Sequence, residues 1–175
     1  MVLLLSEGGE VAMKIKVFTA GGTIDKIYSE EKGTLNFSFG KQAISEMGES
    51  KLKLNLEYNI ERLLAKDSLE MTQEDRELIK RACQGAVADK ILITHGTDTM
   101  IETARVLSDI PDKVIVLTGA SQPYRFRESD AEFNIGVAFG ALNVLDKGVY
   151  IAMNGRVYSW DKCEKTADGR FSEKA

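Results

Sequence analysis

The chain has 175 residues, a length that fits one domain able to bury roughly two thirds of the surface its unfolded form would expose. Its 23 basic and 27 acidic side chains leave a net charge of −4 with no basic run, which excludes the footprint of a nucleic-acid or anionic-membrane binder and leaves a small molecule as the expected partner. The two cysteines, Cys83 and Cys163, stand far apart without metal-ligand spacing, so they read as structural, and neither a metal nor a cofactor is expected.

Met1 to Leu5 is apolar, but Glu7 and Glu10 interrupt it and no basic region or cleavage site accompanies it, so no secretory leader is read and the expected location is cytoplasmic. No stretch reaches the length of a membrane span. Met13 stands directly before Lys14-Ile15-Lys16 and is an alternative start, which makes residues 1–13 a flexible extension.

Ile15 to Phe18 predicts a first buried strand. Asp25 to Gly40 is polar and irregular, a mobile loop or hairpin that carries Tyr28 and the charged run Glu30-Glu31-Lys32. Lys41 to Gly48 predicts a short helix, and the alternation of Leu52, Leu54, Leu56, Tyr58 and Ile60 predicts a half-exposed strand, followed by a loop with Lys66-Asp67-Ser68. Thr72-Gln73-Glu74-Asp75 resembles a capping box, and Leu78, Ile79, Ala82, Cys83, Ala86 and Val87 follow at helical spacing.

Lys90 to Thr94 predicts a strand, Asp98 to Ser108 a helix burying Met100, Ile101, Ala104 and Leu107, and Val114 to Thr118 another strand. Asp130 to Leu145 is apolar almost all round, which predicts a well-buried helix. Val149 to Met153 closes the series before a polar tail from Gly155. Such alternation predicts a single three-layer α/β domain with a mostly parallel sheet, flavodoxin- or Rossmann-like.

Two motifs fall just beyond strands: Ala20-Gly21-Gly22-Thr23-Ile24-Asp25 and Thr94-His95-Gly96-Thr97-Asp98-Thr99. In an open α/β sheet, ligands bind at that edge. Thr23, Ser68, Thr97, Asp98 and the Gly119-Ala120 backbone can all converge there. A threonine hydroxyl becomes a nucleophile when a base takes its proton, and backbone amides at a helix start can stabilise an oxyanion. Plainer readings exist for each. Thr97 or Asp98 would serve as an N-cap, and Gly21-Gly22-Thr23 as a tight turn or phosphate loop, although the dinucleotide spacing is missing. His95 suits a structural place at a strand end, and Arg125-Phe126-Arg127-Glu128 a solvated loop. No serine nucleophile motif occurs.

Taken in order, Gly21 to Ile24, Asp67-Ser68, Thr94 to Met100, and Val114 through Gly119-Ala120 resemble the motifs of the L-asparaginase family, in its short-chain single-domain branch. The resemblance runs from Lys14 to Phe171. It implies that residues 14–175 form an asparaginase N-terminal-type domain without a C-terminal domain, and that the reaction releases ammonia from the side chain of L-asparagine, with L-glutamine as an open second substrate. It makes Thr23 the nucleophile, Tyr28 its activating partner on a lid loop, and Thr97 the holder of the attacking water or a member of a second triad with Asp98 and a lysine. Lys165 is the best match for that lysine, with Lys162 competing. Asp98 suits the substrate's α-ammonium group and Ser68, with nearby amides, its α-carboxylate. Asp67, Gly22, Gly96 and Ala120 complete the implied binding set. Recognition normally shared with a second domain would come from another subunit, so a homodimer or homotetramer is expected. The rivals are a non-catalytic amino-acid-binding module on this fold and a phosphate-binding flavodoxin-like domain.

Overall fold

The computed structural model describes residues 14–31, 34–50 and 55–174. The expected extension over residues 1–13, the alternative start at Met13, and Leu52 and Leu54 lie outside them. The main sheet is built on β1 (Lys14–Gly21), β4 (Glu57–Lys66), β5 (Lys90–Thr94), β6 (Val114–Thr118), β7 (Gly148–Met153) and β8 (Arg156–Ser159), in the order β4-β1-β5-β6-β7-β8. Its strands are parallel except for β8, which runs antiparallel to β7 at the edge. The central strands are β-branched and apolar on both faces because helices cover both.

On one face, Phe18, Ile91, Ile93, Ile115 and Leu117 meet Ile79 and Cys83 of α2 (Gln73–Gly85) and Met100, Ala104 and Leu107 of α3 (Met100–Leu107). On the other, Ile15, Val17, Leu92 and Val116 meet Ile44 and Met47 of α1 (Ala43–Ser50) and Ile135, Ala138 and Leu142 of α4 (Ala131–Val144). Each fully buried aliphatic side chain contributes ~1.5–3 kcal/mol, so the two layers hold the sheet from both sides. This is the expected three-layer α/β domain. Cys83 and Cys163 are free and buried, and burial pushes their thiols up to about 12 and about 11, which leaves them unreactive.

Several boundaries differ from the sequence expectation. Where the sequence leaves a loop or a hairpin open, β2 (Lys26–Glu31) pairs antiparallel with β3 (Thr34–Phe39), from Lys26↔Phe39 to Glu31↔Thr34. β4 begins later than the alternation implies and runs on to Lys66, because pairing with β1 continues past Glu61 and Arg62 and is shifted by a bulge between Thr19 and Gly21. α3 starts at Met100 rather than Asp98. α2 ends at Gly85 and leaves Val87 fully out in solvent, although its capping box between Thr72 and Asp75 forms. α4 is not buried all round: the sheet covers only one side, and Phe133 and Val144 are exposed.

The tail after Gly155 is structured. Asn154 and Gly155 both take positive φ, 54° and 80°, and make the two-residue turn from β7 to β8 that Asn-Gly pairs favour. Beyond it, β9 (Cys163–Lys165) pairs with β10 (Phe171–Glu173) in a small separate ribbon.

Candidate active site

Three loops meet at the C-terminal edge of β1, β4 and β5, and glycines let them touch. A Cβ on Gly22 would lie 2.3 Å from the Gly96 amide nitrogen, and one on Gly96 would lie 2.6 Å from the Ser68 side chain. Gly21 and Gly22 also hold φ of 92° and 82°, where side-chain-bearing residues are strained. The chain therefore delivers Thr23, at the start of a 3-10 turn over Thr23–Asp25, beside the loop that carries Thr97.

Thr97 and Asp98 do not cap α3. They lie in the turn before it, and the N-cap position belongs to Thr99, whose hydroxyl instead donates to the Ser68 carbonyl at 2.7 Å. The side chains of Thr97 and Asp98 face β9: Lys165 Nζ stands 2.9 Å from Thr97 Oγ1 and 2.6 Å from Asp98 Oδ1. Of the two candidate lysines, Lys165 is the one within hydrogen-bond distance of Thr97. Lys162 lies in the preceding 3-10 turn, where its carbonyl accepts from the Lys174 amide.

Ser68 is 1% exposed, and among the described residues its Oγ has no hydrogen-bond partner. A buried hydroxyl without a partner carries an unmet demand that a ligand can meet. Asp67 is engaged: one oxygen accepts from the Leu69 amide and the other pairs with Lys26 of β2. The Lys26 ammonium holds its carboxyl below the usual range. Its side chain thus ties the Ser68 loop to the hairpin. Ala120 is buried, and the next two amides, Ser121 and Gln122, donate to the Asp130 carboxylate.

Tyr28 is 49% exposed on β2. Its ring stands edge-on to Phe37 with centroids 5.2 Å apart, and 6.4 Å from Phe126. Among the described residues no hydrogen bond joins its hydroxyl to Thr23, so the two stand on adjoining segments, Thr23 in the 3-10 turn and Tyr28 in β2, without that link.

His95 is fully buried. Its Nδ1 lies 2.7 Å from the Gly96 carbonyl and its Nε2 2.8 Å from Thr103 Oγ1. A carbonyl can only accept, so Nδ1 carries the proton and Nε2 accepts from Thr103. Burial pushes the imidazole down to about 4, and it stays neutral while it fixes the Gly96 loop to α3.

Sequence reasoning does not single out Asp25 as a site residue. It is 3% exposed; Oδ1 accepts from the Ala43 amide at 2.8 Å, while Oδ2 is buried and has no hydrogen-bond partner among the described residues. Burial raises its carboxyl to about 6, against the opposing pull of the Ala43 amide, Arg62 and Arg125. Its carbonyl accepts from the Gly40 amide, so Asp25 closes the base of the hairpin. Arg125 is likewise more than a solvated loop charge, because it pairs with Glu46 of α1.

A groove of about 1100 Å³ lies between Lys14, Glu57 and Gly85 at the opposite edge of the sheet, and none of these groups lines it. Among the described residues no group of three or more His, Cys, Asp or Glu could hold a metal ion, and no helix is long and apolar enough to cross a membrane.

The profile of the N-terminal asparaginase domain matches residues 14–173. The chain is 28% identical over 160 residues to the glutaminase-asparaginase of Acinetobacter glutaminasificans, covering 83% of this chain and 47% of that protein. It is 31% identical over 152 residues to a glutamyl-tRNA(Gln) amidotransferase subunit of Methanococcus vannielii, covering 82% and 34%. Among solved structures, the thermostable L-asparaginase of Thermococcus kodakarensis superposes with a TM-score of 0.78 at 28% identity, covering 92% of this chain and 51% of that one. A probable cytoplasmic L-asparaginase from Campylobacter jejuni gives 0.77 at 25%, with the same coverage. The chain spans about half the length of these structures and less than half that of the two curated relatives. With the motif loops converging on one edge of the sheet and the match running through almost all described residues, the chain belongs to the asparaginase family, matching its N-terminal domain.

Proposed function

We propose that the protein hydrolyses the side-chain amide of L-asparagine to L-aspartate and ammonia through an ester on Thr23. The observation that carries this reading is the contact of Lys165 Nζ with both Thr97 and Asp98, on the loop whose Gly96 packs against Gly22, the residue before Thr23. The amide-hydrolysing names of the relatives support the same class of chemistry.

In the first half-reaction Thr23 Oγ bonds to the amide carbon and gives up its proton, the carbon–nitrogen bond breaks, and the nitrogen leaves as ammonia with the proton it gains. In the second, water adds to the ester carbon, the bond to Thr23 Oγ breaks, and the hydroxyl regains a proton as aspartate departs. Thr97 orients that water and Lys165 handles its proton. Asp98 holds the α-ammonium group, the buried Ser68 hydroxyl takes the α-carboxylate, and the amides of Gly96 and the Gly119-Ala120 turn stabilise the developing oxyanion. Tyr28 assists Thr23 when substrate draws the hairpin over the site. A second copy of the chain completes α-amino recognition, in a homodimer or homotetramer within the cytoplasm. L-Glutamine adds one methylene, which a shaped pocket discriminates by about 10–200-fold.

The amidotransferase relatives favour, as a second reading, an amide carried on a larger substrate. The net charge of −4 opposes it. Hydroxylamine supplied with L-asparagine tests the ester: formation of the β-hydroxamate at the expense of aspartate, with total turnover unchanged, is the expected result. Absence of hydroxamate at full turnover would remove the acyl-enzyme.

A further inference from the structure

Resting on the reading of Lys165 as the site lysine, we infer that Asn154, itself oriented by Asn134, is the positioning residue that sets Lys165 against Thr97 and Asp98. Lys165 does not belong to the main sheet. It ends β9, whose only strand partner among the described residues is the three-residue β10, in the register Lys165↔Phe171. So short a ribbon does not hold its own shape, and its placement depends on what grips it.

Phe171 is gripped on both sides of its main chain. Its amide donates to Asn154 Oδ1 at 2.9 Å, and its carbonyl accepts from the Tyr158 hydroxyl at 2.9 Å. The Asn154 amide in turn donates to Asn134 Oδ1 at 3.1 Å. Asn134, fully buried, donates through Nδ2 to the Gly119 carbonyl at 3.0 Å and to Asp130 at 2.9 Å. Main-chain partners dictate which end of each carboxamide is oxygen, so neither can be turned over without losing bonds. A continuous chain of hydrogen bonds therefore runs from the Gly119 turn to the strand paired with Lys165.

The turn itself does not explain the Asn154 side chain. At φ 54° a glycine would serve the backbone as well or better. What asparagine adds is the oxygen aimed at Phe171.

This makes Asn154→Gly a clean probe, because it suits the turn, keeps the amide to Asn134 and deletes only the grip on Phe171. Asn154→Asp retains an acceptor oxygen, and Tyr158→Phe removes the other grip by a single hydroxyl. Two readouts are taken: kcat and KM for ammonia release, and the acetylation of Lys165 relative to Lys162 by acetic anhydride, read by mass spectrometry. Asn154→Gly is expected to keep its melting temperature and lose about 10–100-fold in kcat, with KM little changed and Lys165 labelled several-fold faster than in the wild type. Asn154→Asp is expected to restore both readouts, and Tyr158→Phe to shift them in the direction of the glycine variant. Wild-type kcat and a wild-type labelling ratio in Asn154→Gly would overturn the inference. Should the wild type release no ammonia, the catalytic reading fails, and the labelling ratio alone still decides whether Asn154 positions Lys165.

Discussion

Gly22 and Gly96 pack main chain against main chain, so close that a Cβ on Gly22 would fall 2.3 Å from the Gly96 nitrogen. This contact brings Thr23 and Thr97, from the loops after β1 and β5, to one place. Replacing Gly22 by alanine adds a backbone collision to an unfavourable φ of 82°. The expected cost is about 1–3 kcal/mol of stability, with turnover falling further than stability explains. Urea titration and initial rates, taken on the same preparation, check both parts.

Lys165→Met should lower turnover by at least about 10²-fold, while Lys162→Met leaves it unchanged. The Lys165–Asp98 pair is partly exposed, so its loss should alter stability by less than about 1 kcal/mol. Equal effects of the two lysine variants on rate would contradict the assignment.

Ser68→Ala separates binding from folding. Because the buried Ser68 Oγ has no partner among the described residues, removing it should leave the melting temperature unchanged or raised, yet weaken L-aspartate binding by about tenfold, the value of one hydrogen bond to a charged group. Calorimetric titration with L-aspartate gives the affinity. Undiminished binding would place the α-carboxylate elsewhere.

Asp25 and His95 titrate in opposite senses. Burial lifts the Asp25 carboxyl from 3.8 to about 6. Across that window the folded protein keeps a proton that the unfolded chain releases, and stability falls as pH rises. Burial pushes the His95 imidazole from 6.5 to about 4. There the unfolded chain holds the extra proton, and stability rises with pH. In the wild type the slopes offset each other. Asp25→Asn removes the falling one and should gain stability from about pH 4 to 6.5, on the order of 3 kcal/mol. Urea unfolding across that range would show a flat profile if the His95 account were wrong.

Much of this fold can be read from patterns that are local. Ile91 to Ile93 and Val114 to Leu117 are apolar without alternation because both faces of β5 and β6 are covered, and the α2 capping box lies within four consecutive residues. The glycine-threonine motifs mark the edge where the loops meet for the same reason: each follows directly from its strand. What escapes depends on tertiary cover or distant pairing. The apolar residues of α4 outnumber the positions that the sheet can bury, so Phe133 and Val144 face solvent. The tail strands are short and largely polar, and the turn signal in Asn154-Gly155 is the only local mark of β8. The motif resemblance prefers Lys165, but the residues next to it and to Lys162 do not explain that preference; the register of β9 against β10 and the hydrogen bonds to Phe171 do. Asp25 reads as one more polar loop residue until α1 and the hairpin close over it.

Ammonia release from L-asparagine by the wild type, beside Thr23→Ala and Thr97→Ala variants of unchanged melting temperature, tests the central claim most directly. Turnover in the wild type that drops by at least about 10²-fold in both variants is the predicted result. Turnover that survives Thr23→Ala, or a wild type that binds L-aspartate and releases no ammonia, would contradict it and leave an amino-acid-binding domain on the asparaginase fold.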